Sequence, residues 1–270
     1  MTELFETFKP RNSIVKKYVD YYYLDIKPDN VVKEIQTFPH FNNIISFYKS
    51  DIRIQENEMI FDRSAKPNQV FTPIRENILT LKQLGKVHGI VIVFHALGIQ
   101  QFFRDVDFSS YVTDVEFFSQ EELQQLFSTK ETNALTNMID KFLEERFIKF
   151  ENLTVEKSLL YIFNNYENFS IAEISKNLGI SRQHLTKVFK SHLGISLKRF
   201  HKIVVFRKTI NKKLFGNSNQ SFTEMTYEFN FSDQSHLIKT YKDLTECSPK
   251  SFFTKGTLLG DNDTFWHLNS

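Results

Sequence analysis

The sequence predicts an α+β protein of two domains: a mainly β N-terminal domain, with barrel-like closure as one option, and an all-α C-terminal domain holding two helix-turn-helix units joined by a long helix. Two observations predict it. Short apolar runs separated by polar turns fill the first half, whereas apolar residues recur at helical spacing beyond residue 154. In addition, SRQHLTKVFKSHLGISLKRF from Ser181 and DQSHLIKTYKDLTECSPKSF from Asp233 are one motif written twice, 52 residues apart.

In the first half, residues 43–48, 51–55, 77–81 and 87–94 read as strands and 97–103 as a short helix. Phe38, His40, Phe41, Tyr48, Phe71, Phe94 and His95 are candidates to line a ligand cavity, although aromatic residues at strand spacing also serve as plain core. A metal-binding cupin would need a His-x-His pair with a downstream carboxylate and another His, but the chain lacks His-x-His, and His88 and His95 on one strand point to opposite faces. No phosphate-cradling glycine loop, GxSxG or HExxH occurs either, so catalysis is not expected and no cofactor is assigned. Residues 131–150 carry a broad stripe of Leu135, Met138, Ile139, Phe142, Leu143 and Phe147, equally suited to core or to a homodimer contact.

The second half opens at 152–154, with 155–166 as its first helix. Ser170 with Glu173 and Ser221 with Glu224 have capping-box spacing, and Phe169 with Ile174 can form a hydrophobic staple. Helices over 171–178 and 222–229 then stop at Gly179 and Asn230, residues suited to positive φ. New N-caps follow at Ser181 and Ser232. The second turn is one residue longer, because the upstream helices align at an offset of 51 and the downstream ones at 52. A connecting helix over 196–214, about 19 residues, would span about 28 Å. Successive major-groove faces lie ~34 Å apart, so one chain can present two reading helices to one face of a duplex.

Charge is local. Residues 176–213 hold 11 Lys or Arg and no Asp or Glu, although the chain carries only +2; residues 1–150 sum to −3 and 151–270 to +5. An acid-free basic run that coincides with the first unit and the connecting helix is the pattern expected of phosphate contact.

The chain resembles the DNA-binding domain of the AraC/XylS family of bacterial transcription regulators. The resemblance covers residues 154–254 and rests on SIAEISKNLGISRQHLTKVFK, the LGIS junction and the closing FNFSDQSHLIKTYKDLTECSPKSF. Asn230 and Glu246 stand where the family usually has glycine, and Thr226 replaces a small apolar residue; Ser248 before Pro249 reads as an N-cap with proline at the first helical position. The resemblance implies outward-facing Arg182, Gln183, Thr186, Lys187 and Lys190 in the first unit and Gln234, Ser235, His236, Ile238, Lys239 and Lys242 in the second. Gln183 and Lys187 suit base edges, Arg182 and Lys190 phosphates, while Ile238 can touch only a thymine methyl. It also implies double-stranded DNA as partner, with RNA polymerase and a small-molecule effector as further candidates.

The single cysteine, Cys247, fits a reducing cytoplasm, and charges interrupt the first 30 residues, so no signal peptide is expected. The longest uncharged run, 87–103, is short of the ~20 apolar residues of a membrane span. The expected division is 1–150 for sensing or dimerisation, 151–256 for DNA binding and 257–270 as a tail. The expected function is sequence-specific transcription regulation, with a sequence-tolerant architectural DNA binder, or a ligand-modifying enzyme fused to a reader, as alternatives.

Overall fold

Among the described residues, ten strands precede the first α-helix: β1 (Leu4–Phe8), β2 (Val19–Lys27), β3 (Glu34–Thr37), β4 (Asn43–Tyr48), β5 (Ile52–Gln55), β6 (Glu58–Phe61), β7 (Asn68–Thr72), β8 (Leu79–Gln83), β9 (Val87–Phe94) and β10 (Thr113–Asp114). The structure is a computed structural model that describes residues 3–28, 34–49, 52–55, 58–61, 67–83, 85–104, 106–216 and 220–269. Asp51, placed in a strand by the sequence pattern, lies outside these residues.

The strands make two six-stranded sheets, ordered β1-β2-β9-β4-β7-β10 and β11-β12-β3-β8-β6-β5, with β11 (Gly256–Leu258) and β12 (Phe265–Asn269) supplied from the far end of the sequence. Neither closes into a barrel; each keeps two edge strands. Tyr21, Tyr23, Val91 and Val93 of the first sheet face Ile35, Leu79, Leu81 and Trp266 of the second. The opposite face of the first sheet carries Tyr22, Leu24, Ile90 and Ile92 against α1 (Gln120–Leu126) and α2 (Thr132–Arg146). Both faces of β2 and β9 are thus buried, which is why β9 reads as a nearly continuous apolar run without alternation, while in β2 the run is broken by Asp20, Asp25 and Lys27.

The α2 stripe is core. Leu135, Ile139, Phe142 and Leu143 are buried within the chain, and Asp140 accepts hydrogen bonds from the Tyr22 hydroxyl and the Arg11 and Asn12 amides, each at 2.7 Å. Surface used in this way is not available to a twofold mate. The helix also ends at Arg146, short of 150. Two other expectations shift. Strand β8 starts at Leu79, because Pro73 and the Tyr111 hydroxyl, which donates to the Asn77 and Ile78 carbonyls, hold the preceding residues as a loop. The helix expected over 97–103 is one 3₁₀ turn, Ile99–Gln101, whose Gly98 is required because a Cβ there would lie 2.0 Å from the Tyr18 carbonyl oxygen.

The second half comprises α3 (Leu153–Asn164), α4 (Ile171–Leu178), α5 (Arg182–Leu193), α6 (Leu197–Phe215), α7 (Phe222–Glu228), α8 (Gln234–Thr245) and α9 (Pro249–Lys255). Phe200, Ile203, Val204, Phe206 and Ile210 of α6 form the spine of their common core. Residues 257–270, expected as a tail, instead contribute to β11 and all of β12. The alternating Phe265, Trp266, His267, Leu268 gives β12 two apolar faces, and it pairs with β3 through His267↔Gln36, Leu268↔Ile35 and Asn269↔Glu34.

Candidate nucleic-acid interface

The two repeats become two matching helical units. In the first, α4 ends at Gly179 with φ 66°, and the Ser181 hydroxyl caps α5 by accepting from the His184 amide at 3.1 Å. In the second, Asn230 takes the left-handed conformation at φ 52°, and Asp233, not Ser232, caps α8 by accepting from the His236 amide at 2.8 Å. The longer turn moves the cap by one residue, and an aspartate accepts more strongly than serine. Glu246 ends α8 in the left-handed region, at φ 59°. The Ser221 and Glu224 capping box is complete, but the Ser170 box is half made, since Glu173 accepts from the Tyr161 hydroxyl instead of the Ser170 amide.

Each reading helix buries one stripe and shows the other. Leu185, Phe189 and Leu193 of α5 are buried, as are Leu237, Tyr241 and Thr245 of α8, both at i, i+4, i+8. The Phe189 ring lies 5.5 Å from Phe200, and Tyr241 lies 5.1 Å from Phe206 with its hydroxyl 2.8 Å from that of Thr209. Both units are therefore seated on α6, whose 19 residues set their separation. Such aromatic side chains contribute about 3–5 kcal/mol each by truncation.

Opposite the stripes, Arg182, Gln183, Thr186, Lys187 and Lys190 are all exposed, with the Thr186 hydroxyl donating to the Arg182 carbonyl. Gln234, Ser235, His236, Lys239 and Lys242 are likewise exposed. His236 turns back over its own turn: its Nδ1 is 3.3 Å from the Ser232 hydroxyl and its ring 5.3 Å from Phe231. Ile238 is half-buried.

Within the basic run, Lys208 lies over the Tyr166 ring and Lys213 donates to the Gln220 carbonyl, and the other cations divide into two populations. Arg199 pairs with Glu76 and Asp243, Lys202 with Asp243, Arg207 with Asp263 and Lys212 with Glu228, all acids from outside the run. Lys176, Arg182, Lys187, Lys190 and Lys198 are exposed. Uncompensated positive charge is concentrated on α5 and at the start of α6.

The candidate ligand residues do not form one site. Phe71 and Phe94 are core beneath α1 and α2, Phe38 packs 4.8 Å from Phe252, Phe41 packs 5.2 Å from Phe163 and His95 is exposed. His40 and Tyr48 line a cavity of about 50 Å³ between the sheets, with Tyr21, Tyr23, Arg75 and Trp266, whereas Phe41 lines a separate cavity with Arg207 and Asp263. Arg75 is buried, gives one nitrogen to Thr37 and Phe38, forms no ion pair among the described residues and leaves its Nε without a partner there. Burial pushes its guanidinium below the ordinary value. Sequence reasoning missed Arg75 and Arg207, because Glu76 beside the first and Lys208 beside the second make both stretches read as surface.

At the junction of the halves, Arg207 donates to the Phe38 and Pro39 carbonyls at 2.7 Å each and to Asp263 at 2.9 Å, while His40 Nε2 lies 3.1 Å from Asp263. Burial opposes ionisation of Asp263, yet the charge of Arg207 and these hydrogen bonds hold its carboxyl at about 2. Among the described residues no group of three or more His, Cys, Asp or Glu is placed to hold a metal ion, and no helix is long and apolar enough to cross a membrane.

Residues 174–255 match a family described as a helix-turn-helix domain. A protein of Pseudoalteromonas carrageenovora, described as an uncharacterized HTH-type transcriptional regulator in the cgkA 5′ region, is 31% identical over 106 residues, covering 39% of this chain and 61% of that protein. An HTH-type transcriptional regulator of Staphylococcus aureus (strain COL) is 27% identical over 88 residues, 32% of this chain and 11% of that protein. The chain thus spans about six-tenths of the first relative and a ninth of the second. In fold, it is similar to ToxT from Vibrio cholerae, with a TM-score of 0.53, 13% identity and coverage of 86% of this chain and 98% of that one. An apo form of ToxT carrying a single lysine-to-alanine substitution gives a TM-score of 0.52 at 13% identity, covering 91% and 98%.

Proposed function

We propose, from the AraC-type helix-turn-helix domain that residues 174–255 form, that the chain is a transcription regulator reading two adjacent major-groove segments through α5 and α8. One observation carries this reading: two helices with matched buried stripes and exposed polar faces are fixed to a single 19-residue helix. At ~1.5 Å per residue α6 is about 28 Å long, close to the ~34 Å repeat of the groove. Gln183 and Lys187 approach bases, and Arg182, Lys190, Lys239 and Lys242 approach phosphates.

Binding to duplexes with altered spacing tests it. A five-base-pair insertion between the half-elements turns one of them by about half a turn to the far face, and affinity should fall to that of the stronger element alone. Equal binding before and after insertion would leave only one unit as a reader. Unchanged sequence preference in Gln183→Ala and Lys187→Ala would favour a sequence-tolerant architectural binder.

The β half is the sensing element in this reading, and Arg75 supports it. A buried cation without a carboxylate is costly unless an anion meets it in the functional state. The cavity at Arg75 therefore suits a small anionic effector. A rise in thermal midpoint with acetate but not with an equal concentration of acetamide is the expected result; equal effects of the two would remove the anion from the proposal.

A further inference from the structure

Successive residues of β12 point to opposite faces, and the two faces serve different halves of the chain. Phe265 enters the core of the DNA-reading half, with its ring 5.2 Å from Phe252 and 5.8 Å from Phe253. Trp266 enters the core between the sheets, 5.5 Å from Phe5 and 5.8 Å from Tyr23. His267 returns to the reader, its Nε2 2.9 Å from the Phe252 carbonyl oxygen, while its backbone is paired with Gln36 of β3. Immediately before this strand, Asp263 bridges Arg207 of α6 and His40 of the β half. It is the only carboxylate on Arg207 among the described residues.

We propose that residues 256–269 are a strap fastening the DNA reader to the β half, with Asp263 as its fastening point, and that its release lets the two halves part as folded bodies. Arg207, held in place by Asp263, also donates to the Phe38 and Pro39 carbonyls, and the other polar contacts across the junction are few: the half-exposed Arg199 and Glu76 pair, and Gln100 donating to the His192 carbonyl at 2.9 Å. Exposed ion pairs of this kind hold weakly. The apolar contact comes from Phe38, Phe41, Ile74, Ile78, Ala96 and Leu97 together with Phe265 of the strap. The reading residues of α5 and α8 are exposed with the strap closed, so release changes how the β half sits and not whether the reading faces are uncovered. Because Asp263, Trp266 and Arg207 also line the cavity between the sheets, whatever enters that cavity touches the strap.

The chain's single tryptophan is Trp266, so its fluorescence reports the strap directly. In full-length Asp263→Asn, acrylamide quenching of Trp266 should rise about threefold and proteolytic cleavage within 147–152 about tenfold, with far-UV circular dichroism unchanged. Asp261→Asn, an exposed change on the same segment, should behave like the unaltered chain. Unchanged quenching and cleavage in Asp263→Asn would overturn the proposal. Should that variant unfold, hydrogen exchange of the unaltered chain decides: the amides of 265–269 must open together with those of 147–152 below the global unfolding limit, and exchange by global unfolding alone refutes the strap.

Discussion

The salt dependence of DNA binding follows from which cations the structure leaves uncovered. Arg182, Lys187 and Lys190 on α5 and Lys239 and Lys242 on α8 are exposed, whereas Arg199, Lys202, Arg207 and Lys212 are engaged by acids of the same chain. With Lys187 at a base edge, if each of the other four exposed groups neutralises one phosphate, the slope of log K against log salt is about −3.6, at ~0.9 per contact. Raising salt from about 50 to about 200 mM should then weaken binding roughly 150-fold. Had all the cations of the basic run contacted DNA, the slope would be more than twice as steep, about −10. Lys190→Ala should reduce the slope by about 0.9 and weaken related and unrelated sequences alike. Fluorescence anisotropy titrations at four salt concentrations measure both quantities. A slope shallower than about −2, or one unchanged in Lys190→Ala, would refute the assignment of these helices to the phosphate backbone.

Alanine at Gln183 or Lys187 should cost about 1–3 kcal/mol on the best site and relax preference at one base pair, read by selection from randomised duplexes. Arg75→Met should stabilise the chain by about 1–4 kcal/mol in urea unfolding, because it removes a buried cation that has no acid partner among the described residues, while abolishing any response to acetate; a destabilised variant would mean the guanidinium is already compensated. Stability should fall as pH drops from 6.5. His40, His88 and His201 are each lowered first of all by burial, His88 to about 4, so the unfolded chain takes up protons before the folded one does. Urea midpoints that rise on acidification from 6.5 to about 4 would contradict this.

The reading half was legible because its signals are local. Gly179, Asn230, the serine caps and the buried stripes are fixed within four residues of each helix end, and the repeat supplied each twice. Asp233 was missed as the cap of α8 because Ser232 beside it carries the same signal, and only the length of the turn decides between them. The β half was legible in class alone. In β2, Asp25 and Lys27 are buried and paired at 2.8 Å, so charged residues that suggest a surface lie within a core strand. The candidate ligand residues are dispersed because strand spacing does not say which of three clusters an aromatic joins: Phe71 and Phe94 lie beneath α1 and α2, Phe38 against the reader. The contact of Arg207 with Phe38 and Pro39 spans 168 residues or more, and no window on the sequence reports such a pairing.

The pairing of β12 with β3 also has a consequence for biosynthesis. Translation makes Glu34–Thr37 long before Phe265–Asn269, so one side of β3 stays without its partner on the ribosome until the residues of β12 have emerged. A domain that folds as its residues appear can close its first sheet, β1-β2-β9-β4-β7-β10, whose strands all come from the first 114 residues. The second sheet must wait with an unpaired strand edge, the kind of surface that recruits neighbouring chains into aggregates. Messages truncated before codon 265 would therefore yield a product whose N-terminal half is left incomplete, although every residue of β3 is present.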